Sequence, residues 1–199
     1  MDLNYWEWKF NNLNESLAFL LAIISLAVHY IVEAPLSPLY GFIIPIATAA
    51  IAIVPHELAH RQVARNSGCY SRFTLSFRGF MITFIINLLA GLFFPPFLIF
   101  TAGYTLISCA FGGRVEGITA ASGPITNIII GLISFILFRT IPLPSPVAYF
   151  LVLSAEFNSW VAFFNLIPIY PLDGEKVFRW NKVYWIILFL FSLIILAVI

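Results

Sequence analysis

The sequence predicts an all-α polytopic membrane protein. It would have about six transmembrane helices, a short β-strand element next to the candidate site, and a re-entrant or hairpin segment over residues 80–111. Three observations carry that fold class. Of 199 residues, 61% are hydrophobic and only 10% charged, and the mean hydropathy is +0.98. No water-soluble domain of this size can hide so much apolar surface. Apolar runs of spanning length are separated by short stretches rich in proline, glycine or basic residues. One run, Gly41–Val54, ends in the polar stretch Pro55-His56-Glu57-Leu58-Ala59-His60, and polar groups at membrane depth pair, face a wet cavity or bind something. The length leaves no room for a sizeable soluble domain, and the net charge of +1 points to no nucleic-acid partner.

Met1–Glu15 carries Asp2, Glu7, Lys9 and Glu15 before the first apolar run, unlike the basic start of a signal peptide. Tyr5-Trp6-Glu7-Trp8 has the aromatic and charged mixture of a segment lying at the membrane interface. Leu17–Val32 is the first span, with His29 read as a polar tip near the membrane surface. Ala34-Pro35-Leu36-Ser37-Pro38 makes a turn. Gly41–His60 is the second span, and Pro55 within it predicts a kink and a carbonyl freed close to His56.

Residues 61–79 contain Arg61, Arg65, Arg72 and Arg78 and no acid, so this end of the span faces the cytoplasm. Phe73-Thr74-Leu75-Ser76-Phe77-Arg78 alternates apolar and polar, the period of a strand, with Gly79 allowing a turn after it. Edge strands can pair with an extended peptide. Phe80–Phe111 is apolar and broken by Gly91, Pro95-Pro96 and Gly103. If a later ligand is to share a side with His56, this tract must return to the side it left, which a hairpin or re-entrant segment achieves. Gly112–Gly117 is then a cytoplasmic turn.

Ser122–Phe138 is the next span, with Pro124 placed for its first turn and Asn127 one turn further in. Val147–Ile167 returns with Ser154, Glu156, Asn158, Ser159 and Asn165 along it; Asn158 and Asn165, seven apart, share a face. Buried amides need partners. Pro168-Ile169-Tyr170-Pro171-Leu172-Asp173-Gly174 breaks the helix, and irregular backbone at membrane depth lines a cavity or is buried in protein. Lys176, Arg179 and Lys182 put this end on the cytoplasmic side too, level with His56. Val183–Ile199 is the last span. Cys69 and Cys109 have no metal-ligand spacing and read as ordinary small residues rather than a disulfide framework.

His56-Glu57-Leu58-Ala59-His60 is an H-E-x-x-H pattern: two imidazoles on one helix face with a carboxylate beside them. A catalytic zinc takes three protein ligands and keeps one position open. His56 and His60 supply two, and Glu57 is placed to take a proton from water as general base. The third ligand comes from Asp173, Glu175, Glu156, Glu116 or His29. Asp173 fits best by topology, lying on the matching side at the break in the chain.

These residues resemble the site-2 protease family of intramembrane zinc metalloproteases. The resemblance rests on His56–His60, on Asn165-Leu166-Ile167-Pro168-Ile169-Tyr170-Pro171-Leu172-Asp173-Gly174, and on Ser122-Gly123-Pro124 with Asn127. It covers about residues 41–180 and implies a single transmembrane protease domain over 1–199, without the added PDZ or CBS domain that many members carry. By it, His56, His60 and Asp173 hold Zn2+, Glu57 is the general base, and Asn165 and Asn127 position substrate or the metal-site loop. Such an enzyme sits as a multi-pass protein in the cell membrane with its site toward the cytoplasm. It hydrolyses peptide bonds within or near transmembrane helices of membrane-protein substrates, often after a first cut by another protease. Two other readings remain: a different membrane zinc hydrolase, with a glutamate as third ligand, or a metal or proton transporter. A transporter would usually show inverted repeats, and the sequence has none.

Overall fold

A computed structural model of the chain describes residues 2–33, 37–93, 98–108 and 113–199. The elements run α1 (Leu3–Asn11), α2 (Glu15–Glu33), a π-helical turn (Leu39–Ile43) leading into α3 (Ile44–Asn66), β1 (Tyr70–Leu75), α4 (Phe77–Phe93) and β2 (Gly103–Ser108). They continue with α5 (Arg114–Thr140), α6 (Ser145–Asn165), α7 (Asp173–Trp180) and α8 (Lys182–Val198). Four helical stretches are long and apolar enough to cross a membrane: Glu15–Glu33, Leu39–Asn66, Arg114–Thr140 and Ser145–Asn165. The expectation was about six spans; α4 and α8 are apolar but stop at 17 residues.

The distribution of side chains matches a lipid solvent. α8 exposes Val183, Ile186, Ile187, Leu190, Phe191 and Ile194, and α5 exposes Ile129, Ile133 and Ile136. The interior holds small and polar groups: Ala18 and Ala22 of α2, and Thr48, Ala49 and Ala52 of α3, are fully buried or nearly so. Small residues let helices approach closely where no hydrophobic gain separates core from lipid. α3 packs against α2, α5 and α6, so the H-E-x-x-H helix is enclosed on three sides.

The segment after α3 differs from expectation in register. The strand is Tyr70–Leu75, not Phe73–Arg78. Phe77 continues the alternation but also opens a helix, because Phe77 and Phe80 recur at helical spacing and meet Trp6 and Phe10 of α1. Gly79 consequently lies within α4 rather than in a turn. At the other end the strand extends to Tyr70, and next to it the Ser71 hydroxyl donates to the Arg61 carbonyl while the Ser71 carbonyl accepts from Arg65. Cys69, just before β1, is disulfide-bonded rather than an ordinary small residue; Cys109 lies outside the described residues.

The tract 80–111 does go out and come back. α4 is the outward limb, and residues 98–102 return as extended chain packed on it. The Asn87 amide donates to the Ser25 and Ile99 carbonyls and accepts from the Ile99 N–H, each at 3.0 Å, while Thr83 bonds Thr101. A helix paired with extended chain replaces the two short spans, since side-chain amides and hydroxyls satisfy the extended backbone. The return limb becomes β2, antiparallel to β1 with Thr105 opposite Phe73. Pro95-Pro96, Phe111 and Gly112, and most of the Ala34–Pro38 turn, lie outside the described residues.

α5 begins at Arg114, well before the expected Ser122, so Pro124 is an interior proline rather than a first-turn one. His29 is fully buried in α2, not a surface tip, and its ring nitrogens find no hydrogen-bond partner among the described residues.

Candidate metal centre

α3 continues through Pro55 to Asn66, and its fourfold spacing turns His56 and His60 to the same side. Pro55 lacks the N–H that would serve the Ile51 carbonyl. The next carbonyl, that of Ala52, accepts from the Asn127 amide at 2.8 Å, so a neighbouring helix enters the hydrogen-bond ladder where the proline weakens it.

Asp173 arrives from the far end of the chain. After α6 the backbone folds tightly through residues 166–172, with Ile167 to Ile169 and Ile169 to Leu172 turns and a cis Tyr170–Pro171 bond. Gly174 closes it: a Cβ there would lie 2.2 Å from the Leu166 carbonyl oxygen. Asp173 thus opens α7 beside α3. Its Oδ2 is 3.0 Å from His60 Nε2 and 3.4 Å from His56 Nε2, and the two Nε2 atoms are 3.0 Å apart.

The outer faces of both rings are fixed. His56 Nδ1 bonds Asn127 Oδ1, and His60 Nδ1 bonds the Thr119 carbonyl at 2.7 Å. The direction of the first follows from the network. Asn158 Nδ2 donates to the Ser154 carbonyl, so Asn158 presents Oδ1 to Asn127 Nδ2, which leaves Asn127 Oδ1 as the acceptor for His56. Each neutral ring then carries its proton on Nδ1 and turns an unprotonated Nε2 toward Asp173. Three lone-pair-bearing atoms converge with no donor among them. Tetrahedral zinc with bonds of about 2.0–2.1 Å sets its ligand atoms about 3.3–3.4 Å apart, close to the observed triangle. Gly123 leaves the space open, because a Cβ there would lie 2.4 Å from His60 Nε2 and 2.6 Å from His56 Nε2. The residues fit the metal.

Among the described residues this is the one group of three metal-ligating side chains in reach of a common ion. The other candidates for third ligand lie elsewhere. Glu175 and Glu116 both approach Arg179, at 2.8 and 3.6 Å. Glu156 is about 13 Å along α6 from Asn165, and His29 about 21 Å along α2 from Glu15, which pairs with Arg61, the residue after His60. Glu57 is buried beside the histidines, its Oε2 accepting from Thr105 Oγ1 at 2.7 Å. Asn127 reaches the site directly; the Asn165 amide instead donates to Val161 of its own helix. The sequence does not mark Thr119, which contributes only a backbone carbonyl, nor Thr105, which lies in the apolar tract 80–111. Asn158, marked in the sequence as a buried amide needing a partner, finds one in Asn127.

No family profile and no solved structure matches the chain. It is 33% identical over 169 residues to a protein of Methanocaldococcus jannaschii named as a candidate zinc metalloprotease, covering 84% of this chain and 85% of that one.

Proposed function

As the chain belongs to the zinc metalloprotease family of its Methanocaldococcus relative, we propose that it is an intramembrane protease of the site-2 type, cutting membrane-protein substrates within or beside their transmembrane helices. The observation that carries this reading is the meeting of Asp173, at the start of α7, with His56 and His60 of a membrane-length helix. A peptide bond in a lipid-buried helix is shielded from water by its own hydrogen bonds and its surroundings. Cleaving it calls for a polar pocket, a base and a surface that holds unwound chain.

His56, His60 and Asp173 would hold zinc, which would supply Lewis acidity to the attacking water and the scissile carbonyl. The rest falls to the chain. Glu57 takes the proton from the attacking water and can return it to the leaving amine. Asn127 and Thr119 keep the imidazoles in the metal-binding tautomer. β2, with exposed Tyr104 and Leu106 and with β1 as its partner among the described residues, offers an edge on which an extended substrate can pair. Arg61, Arg65, Arg72 and Arg78, with Lys176, Arg179 and Lys182, support a site that faces the cytoplasm of a cell-membrane protein. The substrate is a transmembrane protein already shortened by another protease.

The test is Glu57→Gln, assayed on a co-expressed single-span protein tagged at both ends. The variant should retain zinc and lose cleavage by about 10²- to 10⁴-fold. Cleavage at the wild-type rate would overturn the mechanism.

A further inference from the structure

We infer that Thr105 is a positioning residue that fixes which oxygen of Glu57 is free to take the proton; the inference rests on Glu57 being the base. Thr105 Oγ1 lies 2.7 Å from Glu57 Oε2 and 3.3 Å from the Glu57 backbone carbonyl. A hydroxyl has one proton to give. The shorter distance is that of a well-formed O–H···O bond, and the longer one lies outside the usual O–H···O range. The proton therefore goes to the carboxylate, and Thr105 is the hydrogen-bond partner of that side chain among the described residues.

The position of this hydroxyl is set without help from Glu57. Thr105 pairs with Phe73, whose ring stacks on Phe19 of α2 with centroids 4.2 Å apart and whose N–H donates to Glu15. The chain leading into β2 is stapled to α4 by Asn87 and Thr83. A donor anchored on α2 and α4 thus reaches a carboxylate on α3 and stops its terminal rotation. Oε2 is held, and Oε1 is left for the water.

The test compares wild type, Thr105→Val, Thr105→Ser and Glu57→Gln in detergent, reading hydrolysis of fluorescein-labelled unfolded casein, zinc content and melting temperature. Thr105→Val keeps the shape and loses the donor. It should lower kcat by about 10- to 100-fold, the scale of a misplaced reacting group, with KM within about twofold and with zinc and melting temperature unchanged. Thr105→Ser should restore most of the rate. If Thr105→Val is as active as wild type while Glu57→Gln is dead, the assignment of Thr105 is wrong and the protease reading stands. Loss of zinc or of stability in Thr105→Val without rescue by serine would likewise reduce Thr105 to a packing role. If wild type does not cleave, or Glu57→Gln cleaves equally well, the reading of the base fails and Thr105 goes with it.

Discussion

Gly123→Ala should empty the metal site while leaving the fold in place. Thr119, Gly123 and Asn127 stand four residues apart on one face of α5. The first and last of them hold His60 and His56 by hydrogen bonds, so Gly123 faces the gap between the two rings. An added methyl would lie 2.4 Å from His60 Nε2 and 2.6 Å from both His56 Nε2 and His60 Cε1. Ordinary contact needs about 3.5 Å, so each overlap is about 1 Å. α5 cannot back away without breaking a bond that sets a tautomer, and the rings cannot give way without spoiling the triangle with Asp173. Loss of outer support alone costs metal sites about 10- to 100-fold in affinity. A direct clash with two ligand atoms should cost at least the upper figure, ~2.8 kcal/mol. The assay is zinc content after dialysis together with competition against a chelator, with the melting temperature followed in detergent. Gly131→Ala, two turns along the same helix, is the control: its nearest neighbour would be Ser159 Oγ at 3.2 Å, and it should keep its zinc. Full zinc occupancy and wild-type competition in Gly123→Ala would refute the site geometry.

Two further outcomes follow from the same contacts. Asp173→Asn should weaken zinc retention and Glu156→Gln should not; the reverse pattern in metal content would mean that the third ligand is elsewhere. Asn87→Ala removes three buried hydrogen bonds and strands the Ile99 backbone, so unfolding in detergent should become easier by about 2–4 kcal/mol. An unchanged unfolding curve would show that the return limb is not held by that amide.

Much of the helical path was legible because lipid imposes strict terms. Apolar runs bounded by prolines and basic residues give α2, α6 and α8 nearly at their observed limits, since every backbone group in a span must be satisfied within it. Boundaries failed where two periods competed. Phe73, Leu75 and Phe77 alternate like a strand, yet Phe77 also fits a helical face that α1 covers, and tertiary packing decides for the helix. The return limb after α4 was recognisable only as a requirement of topology. Its extended backbone is stabilised by Asn87, Thr83 and Thr101, and nothing local in the sequence couples positions 87 and 99.

The centre shows the same division more sharply. H-E-x-x-H is readable because helical geometry alone puts both rings and the carboxylate together, and Asp173 could be chosen because basic flanks level it with His56. The residues that convert those ligands into a competent site leave weaker marks. Thr119 acts through a carbonyl that any residue would provide, Gly123 through a missing side chain, and Thr105 through a strand whose neighbour lies 32 positions away in sequence. Yet they are not independent of the readable part. Asn127 bonds His56 and the Ala52 carbonyl at once, so α5 grips both the backbone of α3 and the first imidazole, and the same face of α5 delivers Thr119 to the second. The motif names the ligands; the registration of α5 on α3, held at Ala52, His56 and His60, is what aims them.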